Sequence, residues 1–246
     1  MNIAVIRFPG SNCESESLDA LRRQSIPFQL IDWNNSDPLD HYSGFVLPGG
    51  FSYQDRIRAG VIAAKLPLID ELKRQSNKMK PILGICNGAQ ILVESGILGS
   101  NDSLDHIIDC NYVDQTNVGF ISDWGFLTPF NQSHNIFIQS FSENDILPIQ
   151  ICHGEGRFMF KTPPKSGLKY TTIDGDSTDF ISINGSTDNF AAISNPSGNV
   201  LAIMPHPERS LNASRYPISI QTYAKQNQLN LVDFSTLFSA FKRSQS

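Results

Sequence analysis

The chain has 246 residues, 40% of them hydrophobic and 17% charged, with 17 glycines and 14 prolines. That composition suffices for a full core and excludes a disordered or collagen-like polymer, so a single domain spanning residues 1–246 is expected. Acidic residues outnumber basic ones, 24 to 19, for a formal charge of -5; with no basic run longer than a pair, such as Arg22-Arg23 and Lys242-Arg243, no binding to nucleic acid or to a membrane surface is expected.

The chain enters a strand almost at once, Met-Asn-Ile-Ala-Val-Ile-Arg-Phe, without the basic and apolar regions of a secretion signal, so a cytoplasmic location is expected. No stretch approaches the roughly 18 apolar residues of a membrane span. Apolar runs predict strands at Ile3 to Phe8, Phe28 to Trp33, Gly44 to Pro48 and Pro81 to Cys86. Amphipathic spacing predicts helices at Glu14 to Gln24, at about Asp55 to Gln75, and from the Cys86 turn to Gly96, a helix-ending glycine. From Asn101 the rhythm shortens to β-like runs at Ile107 to Val113, Ile136 to Ile138, Ile149 to Cys152, Arg157 to Phe160 and Phe190 to Ser194. A strand at Asn199 to Met204 and a helix at Val232 to Phe241 close the chain. The pattern is that of an α/β fold: a mostly parallel central sheet with helices on both faces, and a β-rich insertion in the second half.

Four cysteines, Cys13, Cys86, Cys110 and Cys152, form no C-x-x-C pair, so neither a zinc site nor a disulfide framework is signalled and no metal is expected. Cys86 is distinctive because an apolar strand ends on it, Gly84 and Gly88 flank it, and a helix follows. In such a G-x-C-x-G elbow, small residues permit a sharp turn, and the helix N-terminus favours a thiolate nucleophile; a buried structural cysteine is the alternative. Among five histidines, His206 stands just after an apolar strand, between two prolines, with Glu208 two residues on, which makes it the candidate base with an orienting carboxylate. His153, flanked by Cys152 and Gly154, is the rival. The run Phe45-Val-Leu-Pro-Gly-Gly ends a strand in bare amides, so Gly49 and Gly50, with Asn87 just after the nucleophile, are candidate oxyanion donors.

These residues resemble a known family. Gly84-Ile-Cys-Asn-Gly-Ala-Gln, Pro48-Gly-Gly and His206-Pro-Glu are similar to the three signatures of class I glutamine amidotransferases, which implies a flavodoxin-like domain. Within that class, Phe8-Pro-Gly-Ser-Asn-Cys, Gly49-Gly-Phe-Ser-Tyr-Gln-Asp-Arg-Ile-Arg-Ala-Gly, His153-Gly-Glu-Gly-Arg and Met204-Pro-His-Pro-Glu-Arg are similar to the glutaminase subunits of phosphoribosylformylglycinamidine synthase, over residues 1 to about 210. The resemblance implies that Cys86 attacks the side-chain amide of glutamine, that His206 shuttles the proton and that Glu208 orients His206. Gly49, Gly50 and Asn87 would form the oxyanion hole, and Gln90, His153 and Gly154 the glutamine pocket. It also implies a synthetase subunit, expected to carry ATP and Mg, and a small bridging subunit as partners, with no cofactor in this chain. Consistent with that division, no G-x-x-x-x-G-K-[ST] or G-x-G-x-x-G phosphate cradle occurs.

Two stretches depart from the family pattern: Ile108-Asp-Cys-Asn-Tyr replaces an arginine-containing strand between Asn101-Asp-Ser and Thr128-Pro-Phe, and the tail beyond Arg209 carries no matching motif. The alternatives are another class I subunit, such as a guanylate or anthranilate synthase component, a thiol hydrolase of another substrate, and a non-catalytic regulatory module with the same fold.

Overall fold

The computed structural model describes residues 1–99, 105–175 and 182–243. The first four apolar runs form strands β1 (Ile3–Arg7), β2 (Phe28–Asp32), β3 (Gly44–Leu47) and β4 (Ile82–Ile85). Helix α1 (Glu14–Arg23) connects β1 to β2, α2 (Pro67–Asn77) connects β3 to β4, and β4 leads into α3 (Asn87–Ser95). β1 pairs in parallel with both β2 and β3, and β3 pairs in parallel with β4. β3 and β4 are buried at every residue, as strands covered on both faces must be. The chain crosses the sheet one way from β1 to β2 and the other way from β3 to β4, so right-handed crossovers place α1 and α2 on opposite faces.

The second half adds β5 (His106–Cys110), β6 (Tyr112–Val113), β7 (Thr116–Asn117), β8 (Ile121–Phe130), β9 (Leu147–His153), β10 (Glu155–Phe160), β11 (Gly167–Thr171), β12 (Phe190–Ser194) and β13 (Val200–Ile203), then α4 (Ile218–Gln226) and α5 (Ser235–Arg243). One nine-stranded sheet runs β2-β1-β3-β4-β13-β12-β11-β8-β9. β13 lies parallel to β4, and every pairing beyond it is antiparallel. The fold is therefore α/β as expected, and most of the β-rich half extends the parallel sheet. β10 instead pairs with β5 in a separate ribbon, and β6 with β7 in a small hairpin. The apolar core runs without interruption from β1 and α1 through β13 to Phe234, Phe238 and Phe241 beneath the sheet's helical cover.

Two expected elements take other forms. The helix expected over Asp55 to Gln75 begins only at Pro67, at its first turn; ahead of it Tyr53, Gln54, Asp55 and Ile57 have φ of 54°, 60°, 50° and 74°, which no right-handed helix accommodates. Ile57, which completed the apolar stripe on paper, is 92% exposed. Ile136 to Ile138 forms a buried turn rather than a strand, because the Asn135 carboxamide accepts from the Phe137 amide at 2.9 Å and donates to Ser194 Oγ at 2.8 Å, supplying locally what a ladder would have supplied. The closing helix starts at Ser235, whose amide donates to Asp233 Oδ1 at 2.9 Å. The Asn101-Asp-Ser motif lies outside the described residues.

Candidate active site

Strand order reverses between β1 and β3, and at such a switch point the carboxyl ends of parallel strands open a crevice. The segments leaving the carboxyl ends of β1, β3, β4 and β13 carry Cys13, Gly49, Cys86 and His206, residues far apart in sequence. Gly49 lies where they meet: a methyl group on it would stand 3.0 Å from His206 Cε1, 3.2 Å from Cys13 Sγ and 3.3 Å from Cys86 Cβ.

Cys86 occupies the turn between β4 and α3 with φ 49° and ψ -108°, a conformation that L-residues adopt only under constraint. Its amide donates to Ile203 O at 2.8 Å, and its carbonyl accepts from Gln90 N at 3.0 Å, so strand and helix both grip the strained residue. Gly88 is required by packing, since a side chain there would meet the Leu47 carbonyl at 2.0 Å. The Cys86 thiol points toward Cys152 O, 3.7 Å away. The amides of Gly49 and Asn87 donate to no group among the described residues, which leaves both available to a ligand. The Asn87 side chain is fully used: Oδ1 accepts from Ser52 N at 3.0 Å, and Nδ2 donates to Asp55 Oδ1 and Gln90 Oε1.

His206 Nδ1 lies 2.6 Å from Glu208 Oε1, both side chains being buried. Its own amide donates to Gln150 O on β9 at 2.8 Å, fixing the ring's root against the antiparallel half of the sheet. Burial works against a charge on this ring, but the Glu208 carboxylate, with the sulfurs of Cys86 and Cys13, outweighs it and holds the His206 pKa well above its ordinary value. The arrangement can accept a proton beside a thiol and keep the resulting imidazolium paired.

A cavity of about 180 Å³ opens beside Cys86, lined by Gly50, Asp55, Gln90, His153, Gly154 and Glu155 among others. That is well below the ~300 Å³ at the small end of drug-sized ligand sites and suits a small metabolite. Gln90 Nε2 donates to Glu155 O at 2.7 Å, tying α3 to the antiparallel wall. All the residues singled out from sequence, Cys86, His206, Glu208, Gly49, Gly50, Asn87, Gln90, His153 and Gly154, thus converge on one crevice and its adjoining cavity.

The sequence profile of the CobB/CobQ-like glutamine amidotransferase domain matches residues 1–242. A phosphoribosylformylglycinamidine synthase subunit PurQ of Methanothrix thermoacetophila is 39% identical over 236 residues, covering 88% of this chain and 89% of that protein. The subunit of the same name from Methanopyrus kandleri is 33% identical over 216 residues, covering 85% and 89%. The chain belongs to the PurQ family of glutamine amidotransferases. Among solved structures, a chain of PurLQS from Thermotoga maritima superimposes with a TM-score of 0.78 at 28% identity, over 100% of this chain and 99% of that one.

Within this amidotransferase, His153 does not behave as the rival base. Its ring is 2% exposed, neither nitrogen has a partner among the described residues, and burial holds its pKa down at about 3. The ring lies flat against Gly156, where an added methyl would come within 2.1 Å of it. Sequence reasoning passed over Cys13 and Arg209 as site residues. Arg209 Nη2 donates to Cys13 Sγ at 3.2 Å and approaches Glu16 Oε1 at 3.5 Å. Both stand inside motifs quoted above, Phe8 to Cys13 and Met204 to Arg209, so the signal was adjacency to residues already chosen. Cys13, His206 and Glu208 present ligand atoms within 4.8 Å of one another, a set that a soft divalent ion could use, although Glu208 and Arg209 already occupy His206 Nδ1 and the Cys13 sulfur. Among the described residues, no helix is long and apolar enough to cross a membrane.

Proposed function

We propose that this amidotransferase hydrolyses glutamine through Cys86, His206 and Glu208, and supplies the ammonia to a synthetase subunit and a small bridging subunit that together convert formylglycinamide ribonucleotide to formylglycinamidine ribonucleotide. The observation that carries the reading is the convergence at Gly49: a strained thiol at a helix start, and an imidazole held by a buried carboxylate at 2.6 Å, both beside a metabolite-sized cavity.

The steps need only side chains, backbone and water. Cys86 sulfur attacks the side-chain amide carbon of glutamine while His206 takes the thiol proton. The tetrahedral oxyanion is met by the amides of Gly49 and Asn87, with Gly50 adjacent, and losing one such donor typically costs about 100- to 1000-fold in rate. His206 returns the proton to the departing nitrogen, ammonia leaves, and a γ-glutamyl thioester remains. Water, deprotonated by His206, then attacks the thioester, releasing glutamate and restoring the thiol. Glu208 holds the ring in one tautomer and keeps the transient imidazolium paired. Gln90, His153 and Gly154 line the glutamine pocket. Ammonia must stay unprotonated to act as a nucleophile, which calls for enclosed transfer to the synthetase, where ATP and Mg do their chemistry, in the cytoplasm.

The test is Cys86→Ala in the complex reconstituted with the synthetase and small subunits. Glutamine-dependent synthesis is expected to fall to background while ammonia-dependent synthesis persists; equal loss with both nitrogen sources overturns the division of labour.

A further inference from the structure

We propose that Cys13 is a positioning residue for the reaction: its sulfur, held by Arg209, steadies the His206 ring between Glu208 and Cys86. The proposal rests on the glutaminase reading above and extends it to a second thiol that takes no part in bond making.

The backbone of Cys13 is pinned on two sides. The residue is 2% exposed and stands immediately before α1. Its amide donates to Gly49 O at 3.2 Å, as does that of Asn12, and its carbonyl accepts from Ser17 N at 3.2 Å and Ser17 Oγ at 3.0 Å. The start of α1 is thereby tied to the glycine at which the crevice converges. The side chain is directed as well. Its S–H donates to Asn12 Oδ1 at 3.1 Å, which leaves the sulfur lone pairs to accept, and Arg209 Nη2 donates to them at 3.2 Å. Arg209 sits on the same turn as His206, so the segments leaving β1 and β13 close on one another through this contact.

The sulfur also lies within 4.8 Å of a His206 ring nitrogen and of a Glu208 oxygen. Gly49 makes room for the approach, since a methyl group there would crowd both Cys13 Sγ and His206 Cε1. Against burial, and alongside Glu208 and Cys86, this sulfur raises the proton affinity of the ring. Glu208 holds the ring at Nδ1, and a ring held at one nitrogen can still swing about that bond. Cys86 is only an intermittent second support, because its sulfur loses its charge whenever it carries the γ-glutamyl group. His153, the other titratable group close to the ring, is held neutral by burial. Cys13 persists through the cycle, since it does not line the substrate cavity and is never acylated. A thiol sulfur is a weak acceptor, so it steadies the protonated ring without withholding the proton from the departing nitrogen.

The test measures glutamate release from L-glutamine by the full chain in the reconstituted complex. Cys13→Ala and Cys13→Val both remove the acceptor, one with a smaller and one with a larger side chain, so a folding defect in either leaves the other to carry the result. Their kcat is expected to fall about 10- to 100-fold, the cost of a misplaced reacting group, with KM for glutamine within a few-fold. Cys13→Ser, whose hydroxyl accepts from the same donors, is expected to recover most of that loss. Thermal unfolding shows which variants keep the fold. Arg209→Gln is expected to lower kcat by itself and to add little to Cys13→Ala, because the two act through one contact. Wild-type kcat in a folded alanine or valine variant, a higher KM in place of the lower kcat, a serine variant as slow as alanine, or fully additive losses with Arg209→Gln overturns the proposal. A wild-type complex that releases no glutamate from glutamine overturns the glutaminase reading itself, a distinct result.

Discussion

The parallel and antiparallel halves of the sheet contribute to the site in different ways. β1, β3, β4 and β13 run side by side in the buried centre and release Cys13, Gly49, Cys86 and His206 at their carboxyl ends. The antiparallel half and the β10–β5 ribbon beside it contribute the neighbouring wall, Cys152 and His153 at the end of β9 and Glu155 at the start of β10. Reacting groups need placement within fractions of an ångström, and strand ends locked on both faces by core packing provide it. The wall needs only to shape a cavity and present charge, which a ribbon beside the main sheet can do. Breaking a group at the reacting end of the parallel strands should therefore lower the chemical step, and breaking one on the wall should lower binding or stability.

The largest effect on this contrast is expected from Glu208→Gln. The side chain is buried against His206, and its Oε2 has no partner among the described residues. An amide there removes the charge that pairs with the imidazolium and can impose the wrong tautomer on the ring, so kcat for glutamine is expected to fall about 10²- to 10⁴-fold with KM within a few-fold. Steady-state glutaminase kinetics check it. A higher KM at unchanged kcat would move Glu208 to the binding side and break the contrast.

A smaller effect separates two glycines of the wall. A methyl group at Gly156 would stand 2.1 Å from the His153 ring, whereas one at Gly154 meets nothing nearer than Phe120 Cδ2 at 3.6 Å. Gly156→Ala is expected to cost about 1–3 kcal/mol through overpacking, which for a chain of this size lowers Tm by about 2–4 °C per kcal/mol. Gly154→Ala should leave Tm unchanged. Thermal unfolding of the two variants side by side checks this, and equal melting points would mean that the His153 ring is free to move away.

The same division governs what could be read from sequence. Continuous apolar runs such as Ile3 to Ile6 and Ile82 to Ile85 announce buried parallel strands, and the glycines around Cys86 announce a turn that sterics allow almost nothing else to make. The candidate reacting residues could be picked out because each follows the end of such a run. The stretch from Asp55 to Leu66 was misread as α-helix because Ile57, Val61 and Ile62 fall near helical spacing, while the positive φ values at Tyr53, Gln54, Asp55 and Ile57 are imposed by tertiary contacts, among them the bond from Ser52 N to the Asn87 side chain. Nor did periodicity mark β11 or α4, short elements whose place is set by partners elsewhere in the chain. Asp55 and Glu155 stood in the quoted motifs, but only the fold brings them to one cavity.

The smallest expected effect concerns Asp55, on the loop that follows β3. Burial, together with the charge of Glu155, pushes its pKa up to about 6. The shift is upward, so its contribution to folding is greatest on the acid side and is lost as pH rises from the ordinary carboxylate range through about 6. Asp55→Asn lacks that dependence, so the melting temperature of the wild-type chain relative to the variant is expected to fall between pH 5 and pH 7. Thermal unfolding of the two proteins at both pH values checks it. A difference that stays constant with pH would mean that the Asp55 carboxyl titrates alike in the folded and the unfolded chain, and that the cavity wall places no electrostatic demand on the loop of the parallel side.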